Sequence, residues 1–211
     1  MNATSIKDNL KKYYNQEAEL RNSESVKADW KMKVKAEFCD LIKRENKKTL
    51  LELGAGAGHD SLFFMDNGLQ VVAVDLSNEM VRMCREKSIE THELDYYDLS
   101  SLNKKFDCVY AINTLLHIPK DDLRHVLKEI DSVLNANGLF YMGLYGGKDT
   151  EKEIVKIEVS DVPRFFAFHS EDYLKDTLKD YFKIINFETL DVEINAKMDI
   201  FHSITLRKIG G

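Results

Sequence analysis

T-L-L-E-L-G-A-G-A-G, residues 49–58, followed by L-Q-V-V-A-V-D, residues 69–75, decides how this chain is read. The first run is a short apolar strand that ends in three alternating glycines, Gly54, Gly56 and Gly58. The second is another apolar strand, ending in Asp75, 21 residues after Gly54. Glycine turns the backbone sharply and lets a ligand approach main-chain N–H groups with no Cβ in the way. An acid at the tip of the next strand can accept both hydroxyls of a ribose. The pair implies a nucleoside-bearing cofactor held across two neighbouring parallel strands.

The glycine spacing narrows the cofactor. Dinucleotide sites use G-x-G-x-x-G, with a pyrophosphate facing the helix N-terminus. Here the pattern is Gly54-x-Gly56-x-Gly58, then His59 and Asp60, with Glu52 inside the strand. An acid at a helix start repels a pyrophosphate and suits an ammonium group. This acidic, glycine-lined loop resembles motif I of the class I S-adenosylmethionine-dependent methyltransferases. The resemblance continues through Glu93–Leu99 (E-L-D-Y-Y-D-L), Phe106–Asn113 (F-D-C-V-Y-A-I-N) and Leu115–Pro119 (L-L-H-I-P). It ends in Leu134–Phe140 (L-N-A-N-G-L-F), where Ala136-Asn137 replaces the family's usual Pro-containing turn. It covers residues 48 to 145 well and the flanks loosely.

The resemblance assigns roles residue by residue. Gly54, Gly56 and Gly58 would carry the cofactor loop, Asp75 the ribose with Leu76 beside it, and Asp95 with Tyr96 the adenine. Asp98 is an alternative to Asp95. A carbonyl at Ala111 or Ile112 would face the cofactor's amino group, with Glu52 and Asp60 near the methionine end. Asp60 and His59 are otherwise plain helix caps. His117 follows strand 4 and carries a side chain whose free pKa suits proton transfer near neutrality. It is either the base or a brace for the loop before Pro119. Tyr14 and Tyr145 are the other catalytic candidates, and Arg164, His169 and His202 candidate substrate contacts. The implied function is methyl transfer to an O, N or S atom of a small molecule. A nicotinamide-dependent oxidoreductase and a non-catalytic S-adenosylmethionine-binding regulator are the rival readings.

Composition fits that reading. The 211 residues suffice for one α/β domain, and a net charge of −6 lacks the basic footprint of a nucleic-acid binder. The lysines between Lys27 and Lys48 read as a solvated helix face. Cys39, Cys84 and Cys108 form no C-x-x-C pair and read as buried free thiols of a reducing cytoplasm. No metal site, leader peptide or membrane span is expected.

No repeat, linker or low-complexity stretch divides the chain, so residues 1–211 read as one domain. Strands are expected near 49–53, 70–75, 91–94, 106–112 and 138–145, with helices near 59–67, 77–87, 120–135 and 170–179. That alternation predicts a Rossmann-like, mostly parallel sheet covered by helices on both faces. Runs at 182–190 and 200–207 predict an antiparallel hairpin on its edge. Helices at 5–16 and 23–46, the second capped by Ser23 and striped by Val26, Trp30, Val34, Phe38, Leu41 and Ile42, are expected to form a partial lid. The polar insert 146–169 is expected to complete it.

Overall fold

A computed structural model of the protein describes residues 3–23, 28–194 and 197–210. Two helices, α1 (Ala3–Ser23) and α2 (Asp29–Arg44), lead into β1 (Thr49–Leu53), α3 (His59–Asp66), β2 (Gln70–Asp75), α4 (Asn78–Glu86) and β3 (Glu90–Glu93). Then come β4 (Phe106–Ile112), α5 (Lys120–Val133) and β5 (Leu134–Tyr145). A hairpin, β6 (Thr150–Lys156) and β7 (Ser160–Phe168), precedes α6 (Glu171–Leu178), β8 (Phe182–Ile194) and β9 (Lys197–Lys208).

The main sheet has seven strands in the order β3-β2-β1-β4-β5-β9-β8. The first five are parallel, and β9 pairs antiparallel with both β5 and β8. From β1 the chain winds outward to β3, then crosses back to β4 on the other side of β1. Open α/β sheets bind ligands at such a switch point, beyond the carboxyl ends of the strands. The central strands are buried on both faces, which is why they read as continuous apolar runs. One face packs Val109, Phe140 and Met142 against Leu123, Leu127 and Ile130 of α5. The other packs Leu50, Tyr110 and Tyr141 against Phe38 and Ile42 of α2 and Phe64 of α3.

Several boundaries differ from expectation. Helix α1 continues to Ser23, whose hydroxyl donates to Leu20 O at 2.9 Å, so Ser23 ends a helix and does not cap α2. Helix α2 begins after Ala28 with no side-chain cap, and Val26 lies outside the described residues. Strand β5 starts four residues early, at Leu134, which pairs with Phe106 before a register shift. The terminal hairpin is longer at its tip, because pairing runs on through Ile194 and Lys197. The insert is a two-stranded antiparallel sheet of its own. Its β7 packs against α1 and against the turn at Leu115–His117.

Charge also lands differently. Lys35 is only 2% exposed on α2, among Val34, Phe38 and Ile42, so this part of the lysine cluster is not a solvated face. Cys39, Cys84 and Cys108 are buried and free.

Candidate active site

The glycine loop is held from beneath by β2. Gly54 N–H donates to Val74 O at 2.8 Å, and Gly56 N–H donates to Asp75 Oδ2 at 2.8 Å. The other carboxylate oxygen of Asp75 accepts from Ser77 N–H at 2.8 Å. Burial raises the Asp75 pKa against these opposing backbone bonds. Gly54 and Gly56 have φ of +65° and +55°, backbone that L side chains rarely adopt. A Cβ on Gly54 would stand 2.3 Å from Thr114 Oγ1, so the loop and the turn after β4 touch only because this residue is glycine. A Cβ on Gly56 would meet nothing within 4 Å.

That open space belongs to a cavity of about 270 Å³ over the switch point. At one end it is apolar, with Leu76, Met80, Leu94 and Tyr96. At the other it holds Arg21, Lys31, Lys35 and Asp60, and Lys35 Nζ lies 2.8 Å from Asp60 Oδ1. Helix α1 spans the opening on polar contacts. Lys7 pairs with Asp95 at 2.6 Å, Lys11 with Glu93, and Ser77 Oγ donates to Asn15 Oδ1 at 2.6 Å.

Three elements meet at His117, in the turn after β4. Its Nδ1 lies 2.7 Å from Phe165 O of β7, and its Nε2 2.7 Å from Tyr14 Oη of α1. A carbonyl only accepts, so Nδ1 carries the proton and Nε2 accepts the Tyr14 hydroxyl. Burial, with Arg164 and Arg21 nearby, pushes the His117 pKa down to about 4 against the opposing Phe165 bond. Burial raises that of Tyr14, opposed by Arg21 and by Arg164, which is also hydrogen-bonded to it. This imidazole is neutral across the physiological range.

Comparison with known proteins agrees with this architecture. A family model described as "Methyltransferase domain" matches residues 50–138, from β1 to the start of the buried part of β5. That stretch contains the glycine loop, Asp75 and His117, folded here around the switch point. Residues 50–138 form a methyltransferase domain, and the relatives and solved structures support a class I S-adenosylmethionine-dependent methyltransferase. It is 23% identical over 175 residues to an uncharacterized methyltransferase of Alkaliphilus oremlandii, covering 82% of this chain and 76% of that one. It is 28% identical over 126 residues to a glycine/sarcosine N-methyltransferase of Parasynechococcus marenigrum, covering 54% of this chain and 45% of that protein. Among solved structures, the 1,6-didemethyltoxoflavin-N1-methyltransferase of Burkholderia thailandensis superposes with a TM-score of 0.72 at 17% identity, covering 99% and 89% of the two chains.

The methyltransferase cavity suits S-adenosylmethionine chemically. An apolar slot accommodates a purine, a carboxylate stands at the middle, and a mixed-charge end matches an amino-acid zwitterion. A side chain on Gly56 would project into the open space of this cavity. The nicotinamide reading is set aside, because Asp60 stands where a pyrophosphate would need a helix start free of acid.

The candidate residues separate into two groups. Gly54, Gly56, Asp60, Asp75, Leu76, Tyr96, His117 and Tyr14 line the cavity together. Glu52 does not: it is 3% exposed and accepts the Ser61 hydroxyl within the core. Gly58 instead allows close packing, since a Cβ would lie 2.6 Å from Ile89 and 2.9 Å from Cys84 Sγ. Asp95 is turned to Lys7, and Ala111 is buried inside β4 while Ile112 faces the cavity. Tyr145 lies behind Asn113, edge-on to Trp30 and Phe201. Arg164 sits 4.1 Å above the Tyr13 ring, behind Tyr14, and is not at the cavity wall. His169 and His202 lie away from the cavity: His202 Nε2–H donates to His169 O at 3.2 Å where the β6–β7 hairpin rejoins the sheet. Polar lining residues absent from the sequence reading are Arg21, Lys31, Lys35, Asn113 and Thr114. Only Lys35 carried a signal, a lysine in the register of an apolar stripe.

Proposed function

We propose that the protein moves a methyl group from S-adenosylmethionine to a small molecule enclosed between α1, β7 and the carboxyl ends of β4 and β5. Gly54 and Gly56 would lie against the cofactor, Asp75 would take its ribose hydroxyls, and Leu76, Met80, Leu94 and Tyr96 its base. Asp60 and Lys35 would take the α-ammonium and α-carboxylate. When bound, the cofactor supplies an already activated methyl on a sulfonium.

The chain's own work is then alignment and exclusion of water. Holding two reactants in line contributes on the order of 7–11 kcal/mol in favourable cases. The observation that carries the reading is the Tyr14–His117–Phe165 junction, which joins both covering elements to the sheet at the cavity wall. With its proton committed to His117, the Tyr14 oxygen acts as an acceptor and is already bonded to Arg164. His117, with its pKa at about 4, orients Tyr14 and does not act as the base. The N-methyltransferase names of the toxoflavin enzyme and the glycine/sarcosine enzyme support a small-molecule acceptor.

Calorimetry with S-adenosylhomocysteine and with NAD, followed by a methyl-release assay on small molecules, tests the proposal. Binding of the first ligand alone, with turnover, is expected. Binding without turnover of any small acceptor would favour a regulator.

A further inference from the structure

Helix α2 starts beside the carboxyl end of β5, where the Trp30 ring lies 6.4 Å from that of Tyr145 and 4.4 Å from that of Phe201. Lys31 and Lys35, one helical turn apart on the same side of α2, both line the cavity. The lower of the two, Lys35, is paired with Asp60 at the cofactor's zwitterion end. Lys31 stands about 6 Å further along the helix axis, towards the strand ends where the methyl acceptor is enclosed. Its ammonium lies 5.4 Å from the centre of the Trp30 ring. On α1, Arg21 also lines the wall, its guanidinium 5.4 Å from the centre of the Tyr14 ring. Its Nε donates to Glu17 at 2.6 Å. A guanidinium carries five N–H donors, enough for Glu17 and a ligand together.

Arg164 adds a third cation behind Tyr14, its buried Nε without a hydrogen-bond partner among the described residues. The positive charge reaches the cavity wall. After burial, which dominates both groups, Arg164 and Arg21 depress the His117 pKa and oppose the rise of Tyr14's. The acids on the same wall are committed. Asp60 is paired with Lys35, and Asp75 accepts from the N–H groups of Gly56 and Ser77.

We propose that the methyl acceptor carries a carboxylate, held at the cavity wall between Lys31 and Arg21. This rests on the methyltransferase reading above and names its substrate class. One carboxylate oxygen takes the Lys31 ammonium and the other the Arg21 guanidinium, in charge-assisted bonds stronger than neutral ones. The two cations belong to different helices, so the bound carboxylate bridges α1 to α2. It is a handle: it fixes one end of the acceptor and leaves the reacting atom to meet the methyl group in line. A dianionic phosphate ester fits less well, because Asp60 and Asp75 share the wall and repel its second charge.

The test titrates phenylacetate and n-butyrate, their amides, phenethylamine and phenyl phosphate into the protein–S-adenosylhomocysteine complex, followed by saturation-transfer NMR. The carboxylates should bind about tenfold or more ahead of the others. Lys31→Gln should weaken phenylacetate by about tenfold or more, with S-adenosylhomocysteine affinity unchanged, and Lys31→Arg should keep the parental affinity. Equal binding of carboxylate and amide, tighter binding of the amine or the phosphate, or no carboxylate binding would overturn the assignment. So would parental phenylacetate affinity in Lys31→Gln. Loss of S-adenosylhomocysteine affinity in that variant would place Lys31 on the cofactor and overturn it too. Failure of S-adenosylhomocysteine to bind the parent protein would overturn the methyltransferase reading instead.

Discussion

Replacing His169 by Phe should remove about half of the mild-acid stability loss that His117 and His169 cause together. His169 is fully buried, stacked on Tyr173 with ring planes 12° apart, and neither ring nitrogen has a hydrogen-bond partner among the described residues. Burial and the nearby Lys120 press its pKa down to about 4, with Asp149 opposing and His202 adding to the depression. An unfolded histidine titrates near 6.5, so between these values the unfolded chain binds a proton that the folded one refuses. Stability then falls as pH drops from 6.5 towards 4, and is fully present above that window. One such group loses about 2.5 kcal/mol by pH 4.5, of a limit near 3.4 kcal/mol set by the whole shift. His117, also pressed to about 4, adds a similar amount.

Urea unfolding at pH 7 and at pH 4.5 gives the measurement. The parent should lose about 5 kcal/mol between the two pH values from these histidines together, and His169→Phe about 2.5 kcal/mol. The larger phenyl ring perturbs packing equally at both pH values, so the difference between them isolates the titration. Parallel losses in parent and variant would refute the argument, since the imidazole would then be titrating alike in both states.

Gly56→Val puts a β-branched side chain at φ +55° and into the open cavity, so S-adenosylhomocysteine binding should fall beyond detection by calorimetry. Unchanged affinity would remove the loop from the cofactor site. Asp75→Ala should weaken that binding at least tenfold, while the two freed N–H groups lower the apo melting temperature by only a few degrees. Equal stability loss with intact affinity would make Asp75 a structural tie. The pH profile of kcat should show no limb near 6.5 from His117, whose proton affinity is too low there. A limb at that pH, absent from His117→Gln, would restore it as the base.

Residues 49–58 and 70–75 announced the parallel sheet because strands buried on both faces must be apolar throughout, and because Gly54 and Gly56 turn where other residues strain. Helices near 77–87 and 170–179 were legible, and the hydroxyls of Ser77 and Ser170 accept the N–H groups of Met80 and Tyr173 at their starts. Hairpin β6–β7 was not legible as strands. Thr150–Lys156 has almost no apolar face, and its partner is stabilised by packing on α1 rather than by local pattern. Lys35 misled for a related reason: a lysine run reads as solvated until α2 is rotated so that Asp60 can meet it.

His117 shows where the limit lies. Its place at the sheet's carboxyl edge followed from four ordered segments, all within one stretch of chain. Its chemistry depends on Tyr14, 103 residues away, and on Phe165, 48 residues away. The near-neutral pKa that makes a histidine a natural base belongs to an imidazole in water. Here one nitrogen donates to a carbonyl, the other receives a phenol, and burial holds the ring neutral to about pH 4. A protonated His117 would lose its bond from Tyr14 and set a charge among Arg164 and Arg21. The same contacts that seat Tyr14 at the cavity wall therefore take the proton-accepting role away from the histidine.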